Sequence, residues 1–315
     1  MSFWYIPIAI FYLICLIIGI SGNAVMVFVF IKEKKFKLPC YYLITLNCLA
    51  DLLHLSGHFV FNYQVFMKTT MTQAECYSTL FFCAIGVCIS GPLLLSIGID
   101  RLFACQFPFK YRNTSEKPKL YILGHLIFPV TFTTILMTLG YLWKDDKTQL
   151  TCMVPLALPM DAFQIFTYTS IIINLLILTI YLRTYSLLNS YTEQDAIMMR
   201  RIFKSIFFTV KIVLIGWCTV TIGNTVAFGF ITDIETRNLV SIYSGIGVNL
   251  SCACNVFVFY AIKWLGVSTF YKSFIAFDKT AKVEDKFRGY DSYVRETNEL
   301  GYNKRAFIKC VPIIP

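Results

Sequence analysis

Apolar residues gather along this chain into seven long runs, each closed by a short polar connection. A helix needs about 20 predominantly apolar residues to cross the hydrocarbon core of a bilayer, so each run predicts one membrane-spanning helix. They lie at Phe3 to Ile31, Tyr41 to Phe66, Ser78 to Phe103, Lys119 to Leu142, Ala157 to Leu182, Ile202 to Ile231 and Leu239 to Leu265. The first has no basic segment before it and no small-residue cut site after it. It is therefore read as a retained helix, not a signal peptide. After the seventh run, GVSTFYKSFIAF places Phe270, Phe274 and Phe277 on one helical face, which predicts a short helix lying on the membrane surface. The fold class is thus all-α: a seven-transmembrane-helix bundle with a short amphipathic eighth helix. Residues 1–277 form the membrane domain and 278–315, where charges of both signs mix, form a flexible tail.

Composition agrees, with 57% apolar and 15% charged residues and a mean hydropathy of +0.64. The charges also set an orientation, because basic residues flanking short loops stay in the cytosol. The first connection has Lys32, Lys34, Lys35 and Lys37 against Glu33, and the third has Lys110, Arg112, Lys117 and Lys119 against Glu116. The fifth has Arg183, Arg200, Arg201 and Lys204 against Glu193 and Asp195. The alternate loops are neutral or acidic. These patterns place the amino terminus outside and the tail in the cytosol, as expected of a multi-pass plasma-membrane protein. The net charge of +10 then reports topology and contact with anionic lipid. No basic soluble module exists to bind nucleic acid.

Of 12 cysteines, Cys15, Cys48, Cys83, Cys88, Cys218, Cys252 and Cys254 sit inside apolar runs, where a small soft side chain simply packs. Cys76 and Cys152 fall on the exterior side, where thiols oxidise, and are expected to pair. The alternative is two unrelated loop thiols. Polar residues at related depths, Asn23, Asp51, Ser90, Ser251 and Asn255, predict an interhelical cluster, since a lone ionised Asp in lipid needs partners.

The segment SIGIDRLFACQFPFKY closes a nearly uncharged helix with Asp100 beside Arg101. A helix-end charge pair is the plain reading. The wider spacing, however, resembles the Asp-Arg-Tyr-x-Ala-x-x-x-Pro-x-x-Tyr segment of rhodopsin-like (class A) G-protein-coupled receptors. It is matched by Asp100, Arg101, Ala104, Pro108 and Tyr111, with Leu102 in place of the usual Tyr. Gly22-Asn23, Asp51 in LNCLADLL, Trp217 in IGWCTV and Asn255 in NVFVFY follow in the family's order. Cys76 stands at the family's separation from Arg101. The short outer amino terminus and aromatic helices resemble nematode serpentine chemoreceptors of the Srsx type.

The resemblance implies a receptor for a small extracellular ligand that activates a heterotrimeric G protein. In it Asp100, Arg101, Pro108, Tyr111, Tyr181, Asn255 and Tyr260 form the G-protein switch and Trp217 the toggle. The polar cluster of Asn23, Asp51, Ser90, Ser251 and Asn255 can hold a sodium ion in the family. Arg101 would be held by Asp100 at rest and released when helix six swings out. Departures are plain: Thr219 stands where helix six has a proline, Val256 and Phe259 replace the helix-seven proline and tyrosine, and helix five has no proline.

Cys83 stands where amine receptors carry Asp, and Asn249 where opsins carry Lys, so neither amine nor retinal is favoured. Tyr77, Phe81, Cys83, Gln164, Tyr168, Tyr243 and Asn249 are candidate pocket residues in the outer half, although any one of them could be ordinary packing. His54, His58 and His125 lack ligand spacing, and there is no phosphate loop, so neither enzyme nor cofactor is expected. Alternatives are a peptide-sensing receptor of the same fold, a small-solute transporter, or an accessory protein without coupling. A transporter would carry broken, paired half-helices, and none is visible.

Overall fold

Four prolines shape the connections. Pro39, Pro108 and Pro118 each open a helix, and Pro155 lies in the first turn of another, where a missing N–H is harmless and φ is already helical. The structure, a computed structural model, describes residues 3–32, 39–115, 118–190 and 193–254. In order they form α1 (Tyr5–Lys32), α2 (Pro39–Ser56), α3 (His58–Met67), β1 (Met71–Thr72), α4 (Gln73–Thr79), α5 (Phe81–Gln106) and α6 (Pro108–Ser115). There follow α7 (Pro118–Leu142), β2 (Gln149–Leu150), α8 (Val154–Ala157), α9 (Met160–Ser190), α10 (Glu193–Phe230) and α11 (Ile234–Ser244). Past a turn at residue 245 the chain is helical again over 246–254.

Six of the predicted spans appear among the described residues as helices long and apolar enough to cross a membrane: Tyr5–Lys32, Pro39–Met67, Phe81–Gln106, Pro118–Leu142, Met160–Leu187 and Lys211–Phe230. The predicted seventh is represented by α11 and 246–254, and its remainder lies outside the described residues, as do the surface helix and the tail. Exposed Ile10, Ile14 and Ile17 line α1 on one side, and Ile165, Tyr168, Ile172 and Leu175 line α9. Spaced by three or four, they make stripes suited to lipid. The opposite faces, among them Tyr12, Leu55, Leu80, Ile177 and Tyr181, are buried.

The second span runs over Pro39–Met67 as predicted, with a single turn residue, Gly57, between α2 and α3. A Cβ on Gly57 would lie 2.3 Å from Val154 Cγ2 and 3.2 Å from Cys83 Cβ, so the bare glycine admits the loop after Cys152. Gly86 of α5 is tighter still, because its Cβ would meet Ala50 O at 2.5 Å, His54 N at 2.7 Å and Leu53 Cβ at 2.9 Å. Two of these atoms are backbone and cannot swing aside. Gly86→Ala is expected to lower stability by about 1–3 kcal/mol through overpacking, read as a lower Tm of the purified protein. An unchanged Tm would mean that α2 and α5 separate freely.

One end of the bundle is closed by a small polar cap. Strands β1 and β2 pair antiparallel, Met71 with Leu150 and Thr72 with Gln149. Thr72 and Glu75 cap α4 reciprocally: the Thr72 hydroxyl accepts from Glu75 N at 3.2 Å, and Glu75 accepts from Thr72 N at 2.8 Å. Gln73 donates to Ala157 O at 2.7 Å and accepts from Asp145 N at 2.8 Å. Asp145 closes the turn by accepting from the Thr148 hydroxyl and from Lys147 N. Those donors, the hydroxyl first, hold its carboxyl below the usual range. The expected disulfide is here too: Cys76 is bonded to Cys152, with Cα atoms 5.4 Å apart.

Candidate functional site

At the end away from the disulfide, Asp100 and Arg101 stand in the last two turns of α5. Asp100 is fully buried and the Arg101 side chain 16% exposed. Arg101 Nε donates to Asp100 Oδ2 at 2.8 Å, and a guanidinium N–H makes a second, shorter bond to the same oxygen. The guanidinium also donates to the Tyr111 hydroxyl at 2.8 Å, with its carbon 5.7 Å from the Tyr111 ring centre. Tyr111 reaches Arg101 because Pro108 starts the short helix α6 immediately after α5. Phe103, Tyr121 and His125 extend this into an aromatic cluster, with Tyr111 and Tyr121 centroids 6.1 Å apart and Tyr121 and His125 4.5 Å apart. Tyr181 of α9 is buried beside α5, where Gly98 makes room for its ring.

Midway along the bundle, α1, α2 and the 246–254 helix share a polar core. The Asn23 amide donates to Gly19 O at 2.9 Å and to Cys252 O at 3.1 Å. Asp51 accepts from Asn47 at 3.3 Å and from the Cys252 thiol at 3.4 Å. Ser251 donates to Val248 O at 2.7 Å, and Ser90 is buried on α5. Among the described residues, Asp51 thus takes an amide and a thiol as donors, with the Ser90 and Ser251 hydroxyls buried nearby, and no step is derived through an ion. Among the described residues, no group of three or more His, Cys, Asp and Glu could hold a metal. Asn255 and Tyr260 lie outside the described residues.

Trp217 of α10 is buried with its ring edge-on to Phe166, centroids 5.9 Å apart. The candidate pocket residues scatter. Tyr77 is buried and donates to Met137 O at 2.6 Å, so it ties α4 to α7. Tyr168 is 60% exposed on the apolar stripe of α9, which takes it out of the bundle interior. Phe81, 36% exposed, packs edge-on against Tyr77 and Phe82, and Tyr243 donates to Trp4 O at 2.9 Å. Cys83 lies 3.4 Å from the Ser56 hydroxyl, and Gln164 is half-buried.

Asn249 does face the interior, and it leads to residues not expected at all. Its Oδ1 is 2.5 Å from His58 Nε2. The His58 ring stacks on Tyr12, centroids 4.5 Å apart at 17°, and Tyr12 donates to Ile242 O. His54 Nδ1 is 4.0 Å from the Cys252 sulfur, which touches Asp51. A polar line therefore descends from Asn249 through His58, His54 and Cys252 to the core carboxylate. The sequence signal was present: His54, His58 and Asn62 recur every fourth residue, one face of a helix.

The sequence pattern of the family described as serpentine type 7TM GPCR chemoreceptor Srsx matches residues 16–274. The chain belongs to this family. It is a multi-pass membrane protein and a serpentine chemoreceptor of the seven-transmembrane G-protein-coupled type, not an enzyme. A human relative, olfactory receptor 1L3 from Homo sapiens, is 24% identical over 130 residues, covering 40% of this chain. The match spans 39% of that relative's length, well under two thirds.

Proposed function

We propose that this chemoreceptor binds a small, largely neutral extracellular molecule and answers by catalysing nucleotide exchange on a heterotrimeric G protein. The disulfide end is the outer end and the Arg101 end the cytosolic one, consistent with the basic residues around the first, third and fifth connections. Residues 1–277 carry the receptor and 278–315 the cytoplasmic tail. The Arg101 ion pair supports this reading most: a charge pair, nearly shut off from water at the end of α5, whose arginine also grips Tyr111 of the next helix. An ion pair that can exchange partners gives the bundle two states of similar energy, and a ligand that prefers one shifts the population by its differential affinity. Asp100, Arg101, Pro108, Tyr111, Tyr181, Asn255 and Tyr260 make the switch, and Trp217 links it to the outer half. The outer half takes the ligand, with Asn249 its most interior candidate and Cys83, Gln164 and Tyr243 at its margin.

The test is expression in a reporter cell challenged with a panel of volatile and soluble small molecules, with and without a functional G protein. A ligand-dependent response that disappears with the G protein is expected. Solute or ion flux that persists without it would overturn the proposal.

A further inference from the structure

We infer that the ligand is a neutral hydrogen-bond donor, and that His58 Nδ1 and Asn62 Oδ1 are the acceptors that read it. This rests on the small-molecule reading above and adds its chemical class. His58 and Asn62 stand one turn apart on α3, 1% and 6% exposed. Their atom identities follow from their other bonds. Asn62 gives its amide N–H to His58 O at 2.8 Å, so the remaining atom is the carbonyl oxygen. Asn249 likewise gives its amide N–H to Gly245 O at 2.9 Å, which leaves its oxygen facing His58 Nε2. That nitrogen must therefore carry the hydrogen, and a neutral ring then has its lone pair at Nδ1.

Neither His58 Nδ1 nor Asn62 Oδ1 has a donor among the described residues. Buried acceptors are nearly always partnered, so two such atoms on one helix face need an account. The surroundings offer none. The hydroxyl of Tyr12, whose ring stacks on His58, is committed to Ile242 O. Gln64 Nε2 is a buried donor without an acceptor, but it lies on another face of α3, with its oxygen turned to Cys152 N. Both acceptors thus call for hydrogens from outside the described residues.

The charge of the donor follows as well. Asp51 and Asp100 are the buried acids among the described residues. Asp51 lies seven residues before His58 along the span, about two helical turns or ~10 Å away, and Asp100 holds Arg101 at the other end. An ammonium group at His58 and Asn62 would be buried without a counter-charge, which is strongly unfavourable. A hydroxyl or a primary amide has no such need.

The full-length receptor, purified into lipid nanodiscs, is unfolded thermally with three matched pairs of probes. Benzyl alcohol, 1-hexanol and hexanamide are each set against a methyl-capped partner: benzyl methyl ether, hexyl methyl ether and N,N-dimethylhexanamide. Donors are expected to raise Tm more than their capped partners, and Asn62→Leu to erase that preference. The same substitution removes an unsatisfied acceptor, so the ligand-free Tm should rise by about 2–4 °C. That rise supports the inference even if none of the six probes binds. Equal stabilisation by capped and uncapped members overturns the donor inference and leaves the small-molecule reading standing. A ligand-free Tm unchanged or lowered in the variant overturns it too, because the oxygen is then satisfied within the fold. If the Leu variant does not reach the membrane, Asn62→Met, unbranched and adaptable, makes the same comparison.

Discussion

Replacing Arg101 by Ala is expected to abolish ligand-driven nucleotide exchange, whereas Asp100→Asn should raise the ligand-independent rate about tenfold or more. The two substitutions break one contact from opposite sides. Arg101→Ala removes the group proposed to swing free and leaves the Asp100 carboxylate, fully buried, without its counter-charge. Stranding a buried charge in this way costs about 3–5 kcal/mol, so receptor at the surface will fall and exchange must be expressed per folded molecule. Asp100→Asn keeps the arginine and its 2.8 Å bond to Tyr111 but takes away its charged acceptor. Hydrogen bonds to charged groups contribute about 1.5–3 kcal/mol, and 1.4 kcal/mol is a factor of ten in population. The resting state loses that much of its advantage, and the freed arginine is available without ligand. Exchange rates equal to wild type in both variants would sink the latch.

Much of this was legible because lipid leaves a sequence little freedom. Each run must satisfy its backbone internally, so length and apolar content alone predicted spans that the structure shows as helices. The turn within the second span was harder to read, since it is set by contacts between distant residues. Gly57 looks like any helical glycine until Val154, nearly a hundred positions later, is found against it. The polar cap escaped for the same reason: two-residue strands carry no period, and Met71 pairs with Leu150 across two loops that the disulfide and Gln73 also join.

Which way the pocket candidates face was least legible. An aromatic in the outer half of a helix says nothing about which way it faces, and Tyr168 falls on the stripe with Ile165 and Ile172. His54 and His58 lack metal-ligand spacing, yet with Asn62 they recur every fourth residue on one helix face. Asn249, far away in sequence, stands against His58. Thr219 is a similar case. Where helix six was expected to have a proline, its hydroxyl donates to Gly216 O at 2.7 Å, a back-bond of the kind that bends helices. Beside it, Gly216 would put a Cβ 2.7 Å from Gly247 backbone. Neither the back-bond nor the close approach at Gly247 is predictable from the missing proline.

Removing the disulfide should cost stability on the same scale as stranding Asp100. The bond joins residues 76 apart in sequence, and closing a loop of that size restricts the unfolded chain by about 4–5 kcal/mol in the entropic account. Measured losses of native disulfides run from about 2 to 5 kcal/mol, which for a chain of this size lowers Tm by roughly 5–15 °C. The Cys76→Ser and Cys152→Ser double variant is the informative one, because it leaves no unpaired thiol to misroute. Its damage should also be local. Val154, two residues past Cys152, is pressed into the gap at Gly57, next to His58, and Gln64 accepts from Cys152 N. Freed of the bond, this loop should withdraw from α3, so amides of residues 149–158 and 57–64 should exchange faster than those of the Arg101 end. Uniform loss of protection along the whole chain would instead mean that the disulfide only shortens the unfolded state. A Tm within about 2 °C of wild type would mean that β1, β2 and Gln73 hold the cap without it.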